Sequence, residues 1–129
     1  MRYCAVAFLV VVPLVTMPAA AQTLDTDGAK KLVVGKTWAE SKPEGDGKNY
    51  WSWKKDGTLC VRLWEANGKC DDTGKWTLDA GRVCYELGWW GNAYSSDKSG
   101  CFRISQASKG NYRTVREDGF AMSEFTVLK

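Results

Sequence analysis

The chain has 129 residues, a formal net charge of +3, seven Trp, five Cys and no His. That length suits one domain around one core, and 26% charged residues is ordinary for a soluble globular protein. The lack of His removes the Ser-His-Asp triad, the Cys-His pair and every zinc or haem site that relies on imidazole.

Residues 1–21 read as a signal peptide. Arg2 supplies the charge, residues 5–15 form the apolar run, and Ala19-Ala20-Ala21 offers a small-residue cleavage site before Gln22. Pro13 and Pro18 interrupt the stretch, which argues against a retained membrane helix. Cys4 lies too early to be a lipidation cysteine at that site. The expected address is the periplasm or the exterior, with no stable membrane anchor after cleavage. Residues 22–129 then carry 17 Lys+Arg against 15 Asp+Glu, a balance that offers no basic field to nucleic acid.

In the single domain of residues 22–129, residues 22–34 are expected to open with a short helix. Asp25 or Thr26 can cap it and Gly35 can end it. Residues 40–48 read as a polar loop. Beyond it, alternation predicts strands over residues 49–54, 58–65, 75–79, 82–87, 101–105, 112–116 and 120–127. Turns are signalled by Asp56-Gly57, Asn67-Gly68, Ala80-Gly81 and Asp118-Gly119. The expected fold is mainly β: an antiparallel meander of about seven strands forming a small barrel or strongly curved sheet. The helix would plug or flank one end. Trp51, Trp53 and Trp76 fall on inward positions, and Trp38 is left without an element.

With Cys4 lost in the signal, Cys60, Cys70, Cys84 and Cys101 remain, an even set for an oxidising compartment. Their intervals of 10, 14 and 17 residues lack the spacing of a zinc site. Cys84 and Cys101 both project from the outer face of consecutive strands, and Cys70 follows the turn after Cys60. Nearest-neighbour pairing, Cys60–Cys70 and Cys84–Cys101, needs the least contortion, with Cys60–Cys84 and Cys70–Cys101 as the open alternative.

Motifs for chemistry are sparse. Gly35-Lys36-Thr37 lacks the preceding glycine spacing and the strand–loop–helix context of a phosphate loop. No G-x-S-x-G or S-x-x-K nucleophile motif occurs. Glu86 with Glu65 or Glu124 could form a carboxylate pair, although all three suit solvated strand positions. Asp71-Asp72 lacks a calcium-loop pattern and reads as a solvated turn. No catalytic residue, metal site or cofactor is therefore assigned.

The aromatic residues stand out. Trp64 falls on the outward face, and Gly88-Trp89-Trp90-Gly91-Asn92-Ala93-Tyr94 reads as a loop. Aromatic rings next to Asn and Asp make a platform on which a sugar can stack, and the same rings can anchor a protein partner. The rival reading folds Trp89 or Trp90 over a barrel end as a lid on the core.

In this order, Gly35-Lys36-Thr37-Trp38, Tyr50, Asp56-Gly57-Thr58, Gly74-Lys75-Trp76, Cys84-Tyr85-Glu86, Trp89-Trp90 and Cys101-Phe102-Arg103 resemble a bacterial family of small exported proteins known as domain of unknown function 995. The resemblance spans residues 35–128 and implies export and this fold; the family brings no catalytic residues. Gly74-Lys75-Trp76 also resembles the G-x-W of lipocalin-like barrels. There it stands on the first strand and here mid-chain, so no ligand cavity is carried over.

These readings converge on an exported, non-catalytic binding protein that recognises a glycan or envelope component through Trp64, Trp89, Trp90, Asn92 and Tyr94. Two alternatives stay open: a proteinaceous inhibitor of a lysozyme or protease, and a hydrolase with a carboxylate pair.

Overall fold

A computed structural model describes residues 22–41, 47–89 and 98–129. The expected signal segment, residues 1–21, lies outside them.

The chain enters through helix α1 (Thr26–Val33), where the Asp25 carboxylate accepts a hydrogen bond from the Gly28 amide at 2.8 Å. This N-cap satisfies one of the orphan amides of the first turn. Eight strands follow: β1 (Lys36–Ser41), β2 (Lys48–Trp53), β3 (Thr58–Leu63), β4 (Asp72–Asp79), β5 (Arg82–Leu87), β6 (Ser99–Ser108), β7 (Asn111–Val115) and β8 (Ala121–Val127). Each pairs antiparallel with its sequence neighbour, and β8 returns to β1, so the sheet closes as a barrel. Closure removes both sheet edges.

The strand absent from the sequence reading is β1. Its run Lys-Thr-Trp-Ala-Glu-Ser has adjacent apolar residues and an inward Glu40, so no alternation marks it. Its pairing is supplied from both sides, by β2 (Trp38↔Trp51) and by β8 (Trp38↔Val127). Trp38 thereby gains its place in the core, 2% exposed.

The interior is aromatic. Trp38 stacks on Phe125 with centroids 3.7 Å apart and leans on Trp53 at 4.7 Å. Trp53 meets Trp76 edge-on at 6.0 Å. Leu59, Val61, Val83, Leu87, Phe102 and Ile104 fill the space around these rings. Two of the indole N–H groups also tie elements together: Trp38 Nε1 donates to the Leu32 carbonyl of α1, and Trp76 Nε1 donates to the carbonyls of Lys54 and Thr58 in the β2–β3 turn.

Helix α1 closes one end of the barrel. Ala29 and Val33 are buried against the core, and Leu24 donates its amide to the Ile104 carbonyl. The short turns after β2, β4 and β6 lie at this end. Ala80 and Gly81 both adopt positive φ, 49° and 77°, as a tight two-residue hairpin turn requires. The opposite end, the mouth, receives the β1–β2, β3–β4, β5–β6 and β7–β8 connections. At the mouth the interior-facing residues Asp72 and Leu87 are buried, whereas Glu40, Asn49, Leu63, Tyr85 and Ser123 are half-buried.

Two disulfides brace the wall. Cys84 and Cys101 stand directly opposite each other on β5 and β6, and Cys60 of β3 holds Cys70 in the following loop. These are the nearest-neighbour pairs. Such crosslinks suit an oxidising compartment, and no described helix is long and apolar enough to cross a membrane.

Candidate functional site

Strand β3 ends at Leu63, and Trp64 turns the chain outward with φ of 72°. A bulky residue with positive φ is a genuine backbone outlier, of the kind held in place by its surroundings. Those surroundings are a stapled loop. The Cys60–Cys70 disulfide closes residues 60–70, Arg62 Nε donates to the Gly68 carbonyl at 2.9 Å, and the Leu63 amide donates to Asp71 Oδ2 at 2.7 Å. On this support the Trp64 side chain is 70% exposed. Arg62, Leu63, Trp64, Glu65, Asn67, Lys69 and Asp71 line an open depression of about 330 Å³. An aromatic face bordered by amide, cationic and carboxylate groups is a surface that can combine stacking with hydrogen bonding.

The next residue, Asp72, opens β4 and points into the barrel. It is 5% exposed, and its carboxylate accepts the amides of Thr73 at 2.8 Å, Gly88 at 3.2 Å and Trp89 at 3.0 Å. Trp89 Nε1 donates to the Asp71 carbonyl at 3.0 Å. Asp71 therefore holds the Leu63 backbone with its carboxylate and the Trp89 ring with its carbonyl, while the Asp72 carboxylate holds the Trp89 backbone. This corrects the reading of Asp71-Asp72 as a solvated turn for Asp72, whereas Asp71 stays exposed in the loop. Strand β4 begins three residues earlier than its alternation suggested, which carries Asp72 inside.

Trp89 is 39% exposed, so its ring lies against the β3–β4 loop with one side open and is not sealed into the core as a lid. Trp90, Asn92 and Tyr94 fall outside the described residues. Of the expected set, Trp89 is hydrogen-bonded to Asp71 and Asp72, and Trp64 shares its depression with Asp71. Phe120 at 62% and Met122 at 43% exposure add apolar surface at the same end.

A second group lies inside the mouth. Glu40, placed in a loop by sequence reading, is the last inward residue of β1. Trp51 Nε1 donates to its Oε2 at 2.8 Å, and Ser123 and Asn49 also hydrogen-bond to the carboxyl. Ser123 in turn shares a hydrogen bond of 2.8 Å with Thr114 Oγ1. Burial pushes the Glu40 carboxyl above its ordinary value, against the opposing pull of these hydrogen bonds. Among the described residues, the buried Asn49 Oδ1 atom has no hydrogen-bond partner.

The carboxylates considered for hydrolysis stand elsewhere. Glu86 and Glu124 are exposed on the outer wall, on strands separated by β6 and β7, and Glu124 pairs with Arg113 at 2.8 Å. Glu65 belongs to the depression beside Trp64. The structure does not bring Glu86 and Glu124 together as a catalytic pair. Among the described residues, no three His, Cys, Asp or Glu side chains gather as a metal-binding group.

Compared with known proteins, the chain matches no family model, no curated protein and no solved structure.

Proposed function

We propose that this is an exported, non-catalytic binding protein of the periplasm or exterior that recognises a glycan or another envelope component at the barrel mouth. The resemblance to the domain of unknown function 995 family and the signal-like residues 1–21 belong to this reading, as does the absence of a nucleic-acid partner. The observation that carries it is the display of Trp64: a 70% exposed indole, held with positive φ on a loop closed by a disulfide and two hydrogen bonds. Exposing a large ring on a constrained backbone is costly for folding alone, and it pre-organises a stacking surface for a ligand. Trp89, with Trp90, Asn92 and Tyr94 following in the same connection, extends the platform.

Titration with a panel of soluble glycans, followed by Trp fluorescence, tests it. A saturable spectral shift supports the reading, and a flat response across the panel counts against a glycan ligand. The apolar surface of Phe120 and Met122 at the same end favours one second reading, a proteinaceous inhibitor of a lysozyme or protease. Co-purification with such a hydrolase, together with loss of its activity, would select that alternative.

A further inference from the structure

We propose that Glu40 and Asn49 form a subsite inside the barrel mouth for a primary ammonium group, as on a de-N-acetylated amino sugar.

Three observations meet here. Glu40 is a half-buried carboxyl whose flanking strands present Asn49, Trp51, Ser123 and Phe125, with no cationic partner among them. Asn49 spends its amide N–H on Glu40, and among the described residues its buried Oδ1 is an acceptor without a donor. Both residues occupy the last inward rung before β1 and β2 reach the mouth, paired across the ladder.

Their chemistry is asymmetric. Trp51 and Ser123 already supply donors to Glu40, and Asn49 keeps a spare carbonyl beside that carboxyl. An ammonium group brings three donors and a positive charge, so it satisfies Asn49 Oδ1 and neutralises Glu40 at once. A neutral hydroxyl offers one donor and no charge. The edge-on pair of Trp51 and Tyr85, 5.5 Å apart, gives the rung an aromatic floor that suits a cation.

Among the described residues, the other titratable groups at inward-facing strand positions are Lys36 on β1 at the helix end, Asp72 on β4, Tyr85 on β5 and Tyr112 on β7. Arg116, just past the end of β7, pairs with Asp118. No Lys or Arg stands at an inward-facing strand position at this end among the described residues. Ammonium binding therefore follows the ionisation of Glu40 and weakens as the pH falls through its raised value, while the amine stays protonated.

The subsite deepens the proposed glycan reading and rests on it only for the identity of the ligand. Butylammonium and butanol are titrated into the full mature chain, with the Trp51 indole N–H resonance as the reporter. Butylammonium is expected to shift it saturably and butanol is not. Glu40→Gln, which keeps the shape and an acceptor, is expected to weaken the ammonium at least about tenfold and to abolish its dependence on pH. Equal responses to the two probes, no response to butylammonium, or an unchanged Glu40→Gln affinity overturns the subsite.

A glucosamine oligosaccharide and its N-acetylated counterpart form the second arm. Preference for the free amine, lost in Glu40→Gln, supports both readings. Butylammonium binding without any glycan binding keeps the subsite and rejects the glycan. Glycan binding indifferent to the amine keeps the mouth and rejects the subsite.

Discussion

At the scale of single residues, two carboxylates at the mouth differ in what surrounds them. Asp72 is buried and saturated by backbone amides, whereas Glu40 is half-buried with a burden of desolvation. Replacing Asp72 with Ala leaves three amides without their acceptor and is expected to destabilise the fold by about 1–3 kcal/mol, while also weakening any ligand that touches Trp89. Trp89→Ala, in contrast, should weaken the ligand with little effect on melting. Melting curves and affinities of the two variants separate positioning from contact. Glu40 has a testable sign. Its carboxyl titrates higher in the folded chain than in the unfolded one, so protonation favours folding, and the cost of ionisation grows as pH rises from the ordinary carboxylate value through the raised one. Glu40→Gln should therefore melt above the wild type at neutral pH, and the gap should close on acidification below about pH 4.

At the scale of elements, the strands with clear alternation were legible, and β1 and the start of β4, where an inward carboxylate breaks the pattern, were not. Val83, Tyr85 and Leu87 announce β5, and the opposition of Cys84 to Cys101 follows from their shared face. β1 is different. Its inward Glu40 reads as loop, and the partners that make it a strand lie far away in sequence on β8. β4 likewise begins with an inward Asp72 and then Gly74, neither of which marks a core position. Gly74 sits between Leu59 and Leu87, and a Cβ there would run into the Glu86 carbonyl. Gly74→Ala should force β4 and β5 apart and cost about 1–3 kcal/mol, read as a lowered denaturation midpoint with an unchanged slope. Of the candidate site, Trp64 and Trp89 were visible as misplaced aromatics. Their supports, Arg62, Asp71 and Asp72, were not, because each acts through a backbone group of the folded loop or hairpin, the Gly68 carbonyl, the Leu63 amide and the amides of Gly88 and Trp89, which no residue pattern marks.

At the scale of the whole molecule, the barrel is a cup. Helix α1 seals the bottom with Ala29 and Val33, and the aromatic stack from Trp38 to Phe125 fills the lower interior. The polar rung of Glu40 and Asn49 and the exposed rings of Trp64 and Trp89 gather at the other end. The two disulfides both serve that end or its walls. Each closes a loop of 10 or 17 residues and contributes about 2–4 kcal/mol through the unfolded chain. Reduction should lower the melting temperature substantially, and opening Cys60–Cys70 should also loosen Trp64. An unchanged melting curve in reductant would contradict the bracing role.

Calorimetric titration of a soluble glycan selected by fluorescence, into the wild type and into the Trp64→Ala/Trp89→Ala double variant, tests the mouth as a binding site most directly. The wild type should saturate with one stoichiometry, and the double variant should lose about 2 kcal/mol or more of affinity, roughly thirtyfold, while its melting temperature stays close to that of the parent. Equal affinities in the two proteins would contradict the account, because they would place the ligand somewhere other than these rings.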